Sequence, residues 1–380
     1  MGLTLYFIGA GLTKSLELTR RVPLMMDFVP VLADYVGNKV VLDTLVGMEV
    51  GHVYEAACEE CLTLATALRG RGQVTEEERD RFAKLVRNRP SESIEALFKR
   101  AESRSPDTPG FESSSGLPVY FRYAINEVFS TIGWELQLDL LTRFLTRQFE
   151  DDQSAHILVS FNYDLALDRA VGIASKEKWQ PRSGYGFEFP FYTIDAAKAK
   201  PTVEVPTGTP NIQILKPHGS LNWLRRTCNG VPSDGISGMV VPLECRWEPG
   251  THWDLRYWPT DPFKAVHFPD DGLSSSRVEM LIAPPSPTKP PIMPQVLSAE
   301  SDAVSKADEV FVIGYSLPKT DQDQWKLIDD AVKARSVAIP KLTIINYNSP
   351  PEYFQHIWSL FQPQCVCTFN GGFAKFSARG

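Results

Sequence analysis

Leu5-Tyr6-Phe7-Ile8-Gly9-Ala10-Gly11 is an apolar run that stops at two glycines around a single alanine. Four consecutive apolar residues without alternation predict a strand covered on both faces, as in a parallel sheet flanked by helices. Glycines directly behind such a strand permit a tight turn into a helix. They also let a pyrophosphate approach the backbone, where the helix N-terminus favours its charge. Thr13 and Ser15 stand next in line as hydroxyl donors. The full GxGxxG is absent, so taken alone the stretch describes an empty strand–helix turn equally well.

The same pattern recurs along the chain. His156-Ile157-Leu158-Val159-Ser160 runs into Phe161-Asn162-Tyr163-Asp164, and Ile212-Gln213-Ile214-Leu215 into Lys216-Pro217-His218-Gly219-Ser220. Met280-Leu281-Ile282-Ala283 ends in two prolines, Glu309-Val310-Phe311-Val312-Ile313 in Gly314-Tyr315-Ser316-Leu317-Pro318, and Leu342-Thr343-Ile344-Ile345 in Asn346. Helical patterns such as Asp321 to Lys333 lie between several of these runs. The fold class that follows is α/β: a Rossmann-like, doubly wound, mainly parallel sheet, with its ligand crevice at the carboxyl ends of the strands.

Small and polar residues collect at those strand ends. Asn162 and Asp164 between them offer donors and acceptors that suit a carboxamide or a positioned water, or they cap the helix that follows. A histidine is the usual side chain for taking a proton from a ribose hydroxyl or a water, and His218 is the candidate; a lone histidine can also be structural. Gly314 removes side-chain bulk, Ser316 can donate to a phosphate, and Asn346 can reach a ribose hydroxyl. Asp321 opens the next helix as a ligand contact or as its cap.

The 380 residues allow two or three domains, and the net charge of −7 lacks the basic footprint of a nucleic-acid binder. The expected organisation is a Rossmann-like domain from 1–23 and 151–380, interrupted by a helical insertion domain over 24–150. Irregular insertions near 175–210 and 225–275 are expected over the carboxyl edge. In the helical part, Thr75-Glu76-Glu77-Glu78 predicts an N-cap with acid in the first turn. Residues 104–117 read as a loop, and 118–149 carry one or two amphipathic helices. No window is long and apolar enough to span a membrane, and the opening apolar stretch lacks a basic flank, so a cytoplasmic protein is expected. Cys58 and Cys61 have no second CxxC to complete a zinc ribbon, and the six cysteines are expected as free thiols in or near the core.

Gly9-Ala10-Gly11, Asn162-Tyr163-Asp164, Lys216-Pro217-His218-Gly219-Ser220-Leu221-Asn222-Trp223 and Gly314-Tyr315-Ser316-Leu317-Pro318 with Asp321 resemble, in this order, the sirtuin-like NAD-hydrolase family of bacterial antiphage defence. The resemblance implies a site for NAD as substrate, with no metal. Asn162 and His218 would be its catalytic pair and Asp164 would lie near the nicotinamide carboxamide. Cofactor-binding positions would be Gly9, Ala10, Gly11, Thr13, Ser15, Asp164, Gly314, Ser316, Asp321 and Asn346. It implies an NADase releasing nicotinamide and ADP-ribose, regulated as a homo-oligomer or by a separate ATPase or other sensor protein, with no direct nucleic-acid or membrane partner. A sensing module without turnover, or a sirtuin-type ADP-ribosyl or acyl transferase, are the alternatives. Two absences speak against a protein deacylase: the four-cysteine zinc module, and the arginine of an Asp-Phe-Arg element, where Met26-Asp27-Phe28 runs into Val29. Phe161 stands where the family usually has threonine, and Pro217 where it has leucine.

Overall fold

β1 (Leu3–Ile8) has its last four residues buried, which is why an unalternated apolar run is its sequence. It leads through Gly9 into α1 (Ala10–Ser15). The computed structural model describes residues 2–17, 22–24, 28, 31, 75–87, 125, 129, 136–150, 153–176, 179, 184–186, 191–194, 201–204, 211–228, 231–232, 240–242, 276–282, 294–318 and 321–379. Cys58, Cys61, the loop expected at 104–117 and most of 24–150 lie outside these residues.

Within 24–150, α2 (Glu76–Arg87) begins behind Thr75. The Glu78 amide donates to Thr75 Oγ1 at 3.3 Å, and Glu78 Oε2 accepts from the Thr75 amide at 2.9 Å, a reciprocal capping box. α3 (Leu138–Gln148) closes the segment and turns Leu141, Phe144 and Leu145 inward.

β2 (Ala155–Ser160), α4 (Ala166–Ala174), the antiparallel pair β3 (Phe191–Ile194) and β4 (Pro201–Glu204), and β5 (Ile212–Leu215) follow. β6 (Gly219–Cys228), β7 (Val231–Pro232), β8 (Val240–Pro242) and β9 (Ser276–Ile282) come next. α5 (Pro294–Lys306), β10 (Glu309–Ile313), α6 (Gln322–Lys333), β11 (Lys341–Ile345), α7 (Pro351–Phe361), β12 (Cys365–Phe369) and α8 (Phe373–Ser377) complete the described chain.

Six strands form one sheet in the order β12-β11-β10-β1-β2-β5, and every pairing in it is parallel. The first strand stands in the middle, the next two lie on one side of it and the last three on the other. That is the doubly wound Rossmann order, and its switch point falls between β1 and β10. The register is level there: Ile8 pairs with both Ile313 and Ser160, Ile313 with Ile345, and Val159 with Leu215. The residues just beyond these pairs therefore emerge in one row at the carboxyl edge.

The core lies on both faces of this sheet. Leu5, Tyr6, Phe7, Val310 and Leu342 are buried, each apolar side chain contributing about 1.5–3 kcal/mol relative to exposure. Tyr6 stacks on Phe311 at 5.2 Å between ring centroids, and Phe144 of α3 meets Phe311 and Phe373 edge-on. α3 thus packs into the α/β core, as do Phe28, Val31 and Ile125 from the same 24–150 segment.

Two expectations are corrected. The run Met280 to Ala283 does not enter the parallel sheet: β9 pairs antiparallel with β6 in a separate sheet that also holds β7 and β8. An apolar run reports that a strand is covered, not which neighbour it pairs with. Cys365 and Cys367 are free thiols but exposed, because β12 is the edge strand and Cys365 to Thr368 are open to solvent. The Pro- and aromatic-rich region near 175–210 supplies buried side chains as well: Trp179 and Tyr185 pack edge to face, and Tyr185 does the same against Trp223.

Candidate functional site

A cleft of about 400 Å³ opens at the switch point. It is lined by Gly9, Ala10, Gly11, Thr13, Asn162, Asp164, His218, Gly314, Ser316, Asp321 and Asn346, and by apolar side chains including Phe28, Phe129, Phe161 and Tyr315. Of the site residues expected from sequence, Ser15 alone is not brought to the cleft. Its hydroxyl faces back along α1 and donates to the Leu12 carbonyl at 2.6 Å. Position i+6 from Gly9 is past the turn of helix that faces the cleft, while Thr13 lies on that face.

Asn162 is 8% exposed and held from β1. Its Nδ2 donates to Gly9 O at 3.1 Å and to Thr13 Oγ1 at 3.0 Å. Both amide hydrogens are thereby used, which leaves the carbonyl oxygen as the group it offers to a ligand. Thr13 passes its own hydrogen to Asp164 Oδ2 at 3.0 Å, and Asp164 Oδ1 accepts from the Ala166 amide at 2.9 Å. Asp164 therefore lines the cleft and also caps the start of α4. Burial pushes its carboxyl up, against the lowering effect of Lys216 and of these hydrogen bonds.

His218 sits where β5 ends and β6 begins, with Gly219 at φ 82° behind it. The positive φ is a conformation only glycine adopts without strain, and it turns the chain so that His218 faces the cleft. The His218 ring lies 5.4 Å from the Phe161 ring, and Phe161 stacks on Tyr315 at 4.1 Å with the planes 4° apart. His218 Nε2 lies 3.4 Å from Asp321 Oδ1, and neither atom has a hydrogen-bond partner. Asp321 is the N-cap residue of α6, yet its side chain makes no cap hydrogen bond. Its Oδ2 accepts instead from Tyr315 Oη at 2.6 Å.

The glycines hold two strand-end turns against each other. Gly9 N–H donates to Ile313 O and Gly11 N–H to Gly314 O. A Cβ on Gly9 would stand 2.5 Å from Tyr315 Cα, and one on Gly314 would stand 2.3 Å from the Leu12 nitrogen. Their first use is thus the close approach of β1 and β10, which shapes the cleft floor. Ala10, with no part in those contacts, is exposed at its wall. Ser316 is exposed where it borders the cleft, and Asn346 is half-buried with its Oδ1 accepting from the Tyr347 amide at 3.0 Å.

Five residues behind the cleft, Lys216, Asp168, Tyr185, Glu300 and Gln324, were not singled out from sequence as site residues. Lys216 is fully buried, pairs with Asp168 at 2.8 Å, and donates to Asp164 O at 2.8 Å and Ser220 Oγ at 2.9 Å. Tyr185 donates to the other oxygen of Asp168 at 2.5 Å. Glu300 of α5 is fully buried near Asp321, and Gln324, with its amide nitrogen toward it, donates to Glu300 at 3.1 and 2.9 Å. Burial, and then the charge of Asp321, push the Glu300 carboxyl well above the usual carboxylate range. Tyr315, whose main-chain oxygen accepts from Tyr353 Oη, is raised likewise, mainly by burial. A charged residue within an apolar helix pattern, as Glu300 is, was the available signal.

Among the described residues no cluster of three or more His, Cys, Asp and Glu side chains is placed to hold a metal, and no helix is long and apolar enough to cross a membrane. No protein-family model matches the sequence, and no curated protein matches it. Among solved structures the chain is similar to Sir2Tm bound to a propionylated peptide, at 13% identity over 99% of this chain and 91% of that one, with a TM-score of 0.35. It is similar to a mutant Sir2 homologue in complex with ADP-ribose, at 15% identity over 69% and 75%, with a TM-score of 0.33. A structure concerned with sirtuin substrate affinity matches at 13% identity over 99% and 92%, with a TM-score of 0.36.

Proposed function

We propose that this chain is a sirtuin-like NAD glycohydrolase that cleaves NAD to nicotinamide and ADP-ribose. The observation that carries the reading is the meeting of Asn162 and His218, far apart in sequence, in one cleft beside the glycine turn of a Rossmann-type switch point. Such crevices are where open α/β sheets take nucleotides. NAD would lie across the β1–β10 turns with its phosphates toward Ala10 and Ser316, Asn346 within reach of a ribose hydroxyl, and its nicotinamide toward Asp164.

Breaking the nicotinamide–ribose bond leaves positive charge on the ribose as the bonding pair departs with nicotinamide. The Asn162 carbonyl oxygen, fixed by two donated hydrogen bonds, presents a negative dipole end to that charge or holds the incoming water. Water then bonds to the ribose carbon, and His218 takes the released proton. Phe161, Tyr315 and Phe28 give the cleft an apolar side against which the nicotinamide ring would lie.

The wider role follows the motif resemblance: a cytoplasmic, NAD-depleting effector of antiphage defence. Uncontrolled loss of NAD is lethal, so its turnover would be held down until it assembles as a homo-oligomer or meets a separate ATPase or other sensor.

The test is nicotinamide release from NAD by the purified chain, beside His218→Ala, across a range of protein concentrations. Release that disappears in the variant supports the hydrolase, and a steep rise with concentration supports control by assembly. NAD bound without release at any concentration would replace this reading with a sensor.

A further inference from the structure

β12 ends the parallel sheet, with β11 on one side and no described strand on the other. Cys365 to Thr368 are exposed, so both faces of the strand are open as well as its edge, and Val366 is 41% exposed. A free edge is a template for another strand, and proteins blunt such edges with lysine, proline or a bulge. Cys365-Val366-Cys367-Thr368-Phe369 contains neither residue, and its register with β11 runs without a shift. Tyr347, which bridges to Gly371 just behind β12, and Trp358 of α7 are exposed too, so apolar surface extends beyond the strand. From Tyr353 to Ala374 there is no Asp, Glu, Lys or Arg, in a chain that is 22% charged.

The free edge fits a copy of itself. The Cys365 N–H donates to Pro340 O, and Phe369 O accepts from the Asn346 N–H, both on the β11 side. Backbone groups alternate sides along a strand, so those of Val366 and Thr368 point away from the sheet. Two copies of β12 laid antiparallel about Cys367 set Val366 of each opposite Thr368 of the other. Each such pair exchanges both of its N–H···O bonds. Cys367 then meets Cys367 of the partner subunit in the non-hydrogen-bonded position between them, with Cα atoms about 4.5 Å apart. No charge opposes a like charge along this line, although each chain carries a net charge of −7.

We propose that β12 is the contact through which a second copy of this chain joins, the two edge strands pairing antiparallel about Cys367 and merging two six-stranded sheets into one. The proposal rests on the NAD-cleaving reading only for the use of assembly as control; the contact itself stands on the strand. None of the residues that line the cleft belongs to β12, so the contact spends no part of the site.

The experiment measures mass, so it is separate from whether cleavage occurs. Sedimentation velocity on the full chain in reducing buffer, over a range of concentrations, is expected to show a dimer at the higher ones. Val366→Lys/Thr368→Lys sets lysine opposite lysine in both pairs, on side chains that the fold leaves exposed. It is expected to weaken the dimer at least about tenfold while the circular dichroism of the chain stays unchanged. Diamide, a two-electron thiol oxidant, takes one proton and one electron from each Cys367 thiol as the bond between the two sulfurs forms. A crosslinked band of twice the chain mass is expected, lost in Cys367→Ser and kept in Cys365→Ser. A wild type that stays monomeric at every concentration, a dimer that survives the paired lysines, or a crosslink whose yield Cys367→Ser does not lower would each overturn the contact. The first of these would leave the edge to a strand from a different protein. Nicotinamide release accompanied by any of these results would leave the hydrolase standing without it.

Discussion

Lys216 Nζ and Asp168 Oδ2 lie 2.8 Å apart, with the two side chains 0% and 3% exposed. The pair ties the end of β5 to α4, and Lys216 also holds the main-chain oxygen of Asp164 and the hydroxyl of Ser220. His218 is two residues further on, so its position at the cleft is tied to this buried cation.

Lys216→Met should therefore be costly, because it strands Asp168 in the interior. Loss of one partner of a buried pair costs about 3–5 kcal/mol. Urea unfolding should show that loss, and the double variant Lys216→Met/Asp168→Leu should recover part of it. A Lys216→Met chain as stable as the wild type would mean that Tyr185 alone satisfies Asp168.

Gly314→Ala should destabilise the switch point. Gly314 has φ 59°, and its added Cβ would meet the Leu12 nitrogen at 2.3 Å. The left-handed conformation alone costs an alanine about 1–2 kcal/mol, and the backbone clash adds to it. Thermal unfolding should register a clear drop in Tm, together with weaker ADP-ribose binding. An unchanged Tm would show that the β1 and β10 turns can move apart.

Glu300 makes stability depend on pH. Its carboxyl is raised in the folded chain, first by burial and then by the charge of Asp321. A raised carboxyl favours folding while protonated. Its contribution is complete below the unfolded value, about 4.3, and is lost as pH rises through the folded value. Glu300→Gln, which cannot ionise, should lose less stability than the wild type over that rise. Denaturation at several pH values would read the difference, and parallel curves for the two proteins would count against a buried neutral Glu300.

Asn162 and His218 should separate by stability. His218→Ala removes a group with no hydrogen-bonding duty to the fold, so nicotinamide release should fall by about 100-fold or more with Tm little changed. Asn162→Asp sets a carboxylate against the Gly9 carbonyl oxygen, so both activity and Tm should fall. Turnover, melting and circular dichroism on the two variants decide it, and full turnover in His218→Ala would remove the histidine from the mechanism.

The parallel sheet was legible because each of its inner strands needs two covered faces, and only unbroken apolar runs meet that need. The inner strands β1, β2, β10 and β11 are written mainly in apolar residues; β5, at the edge, carries Gln213 within its run. The carboxyl edge was legible for the same reason: a parallel sheet with level register brings its strand ends into one row. Asn162, His218, Gly314 and Asn346 are found there. β9 was misplaced since an antiparallel partner can cover an apolar strand just as well. Ser15 was assigned to the cleft from proximity in sequence, and the helical rotation past Thr13 took it away.

By itself the sequence determined the periodicity of burial, the places where strands stop, and the residue types at those stops. Such features are local, written within a few residues of one another. Only the tertiary structure decided that Asp321 turns from its own helix toward His218, that Phe161 meets Tyr315 face to face, and that Lys216 joins Asp168 beneath the site. Each of these partners is set by how separate elements pack, and side-chain direction in a packed interior depends on neighbours that a linear pattern does not specify.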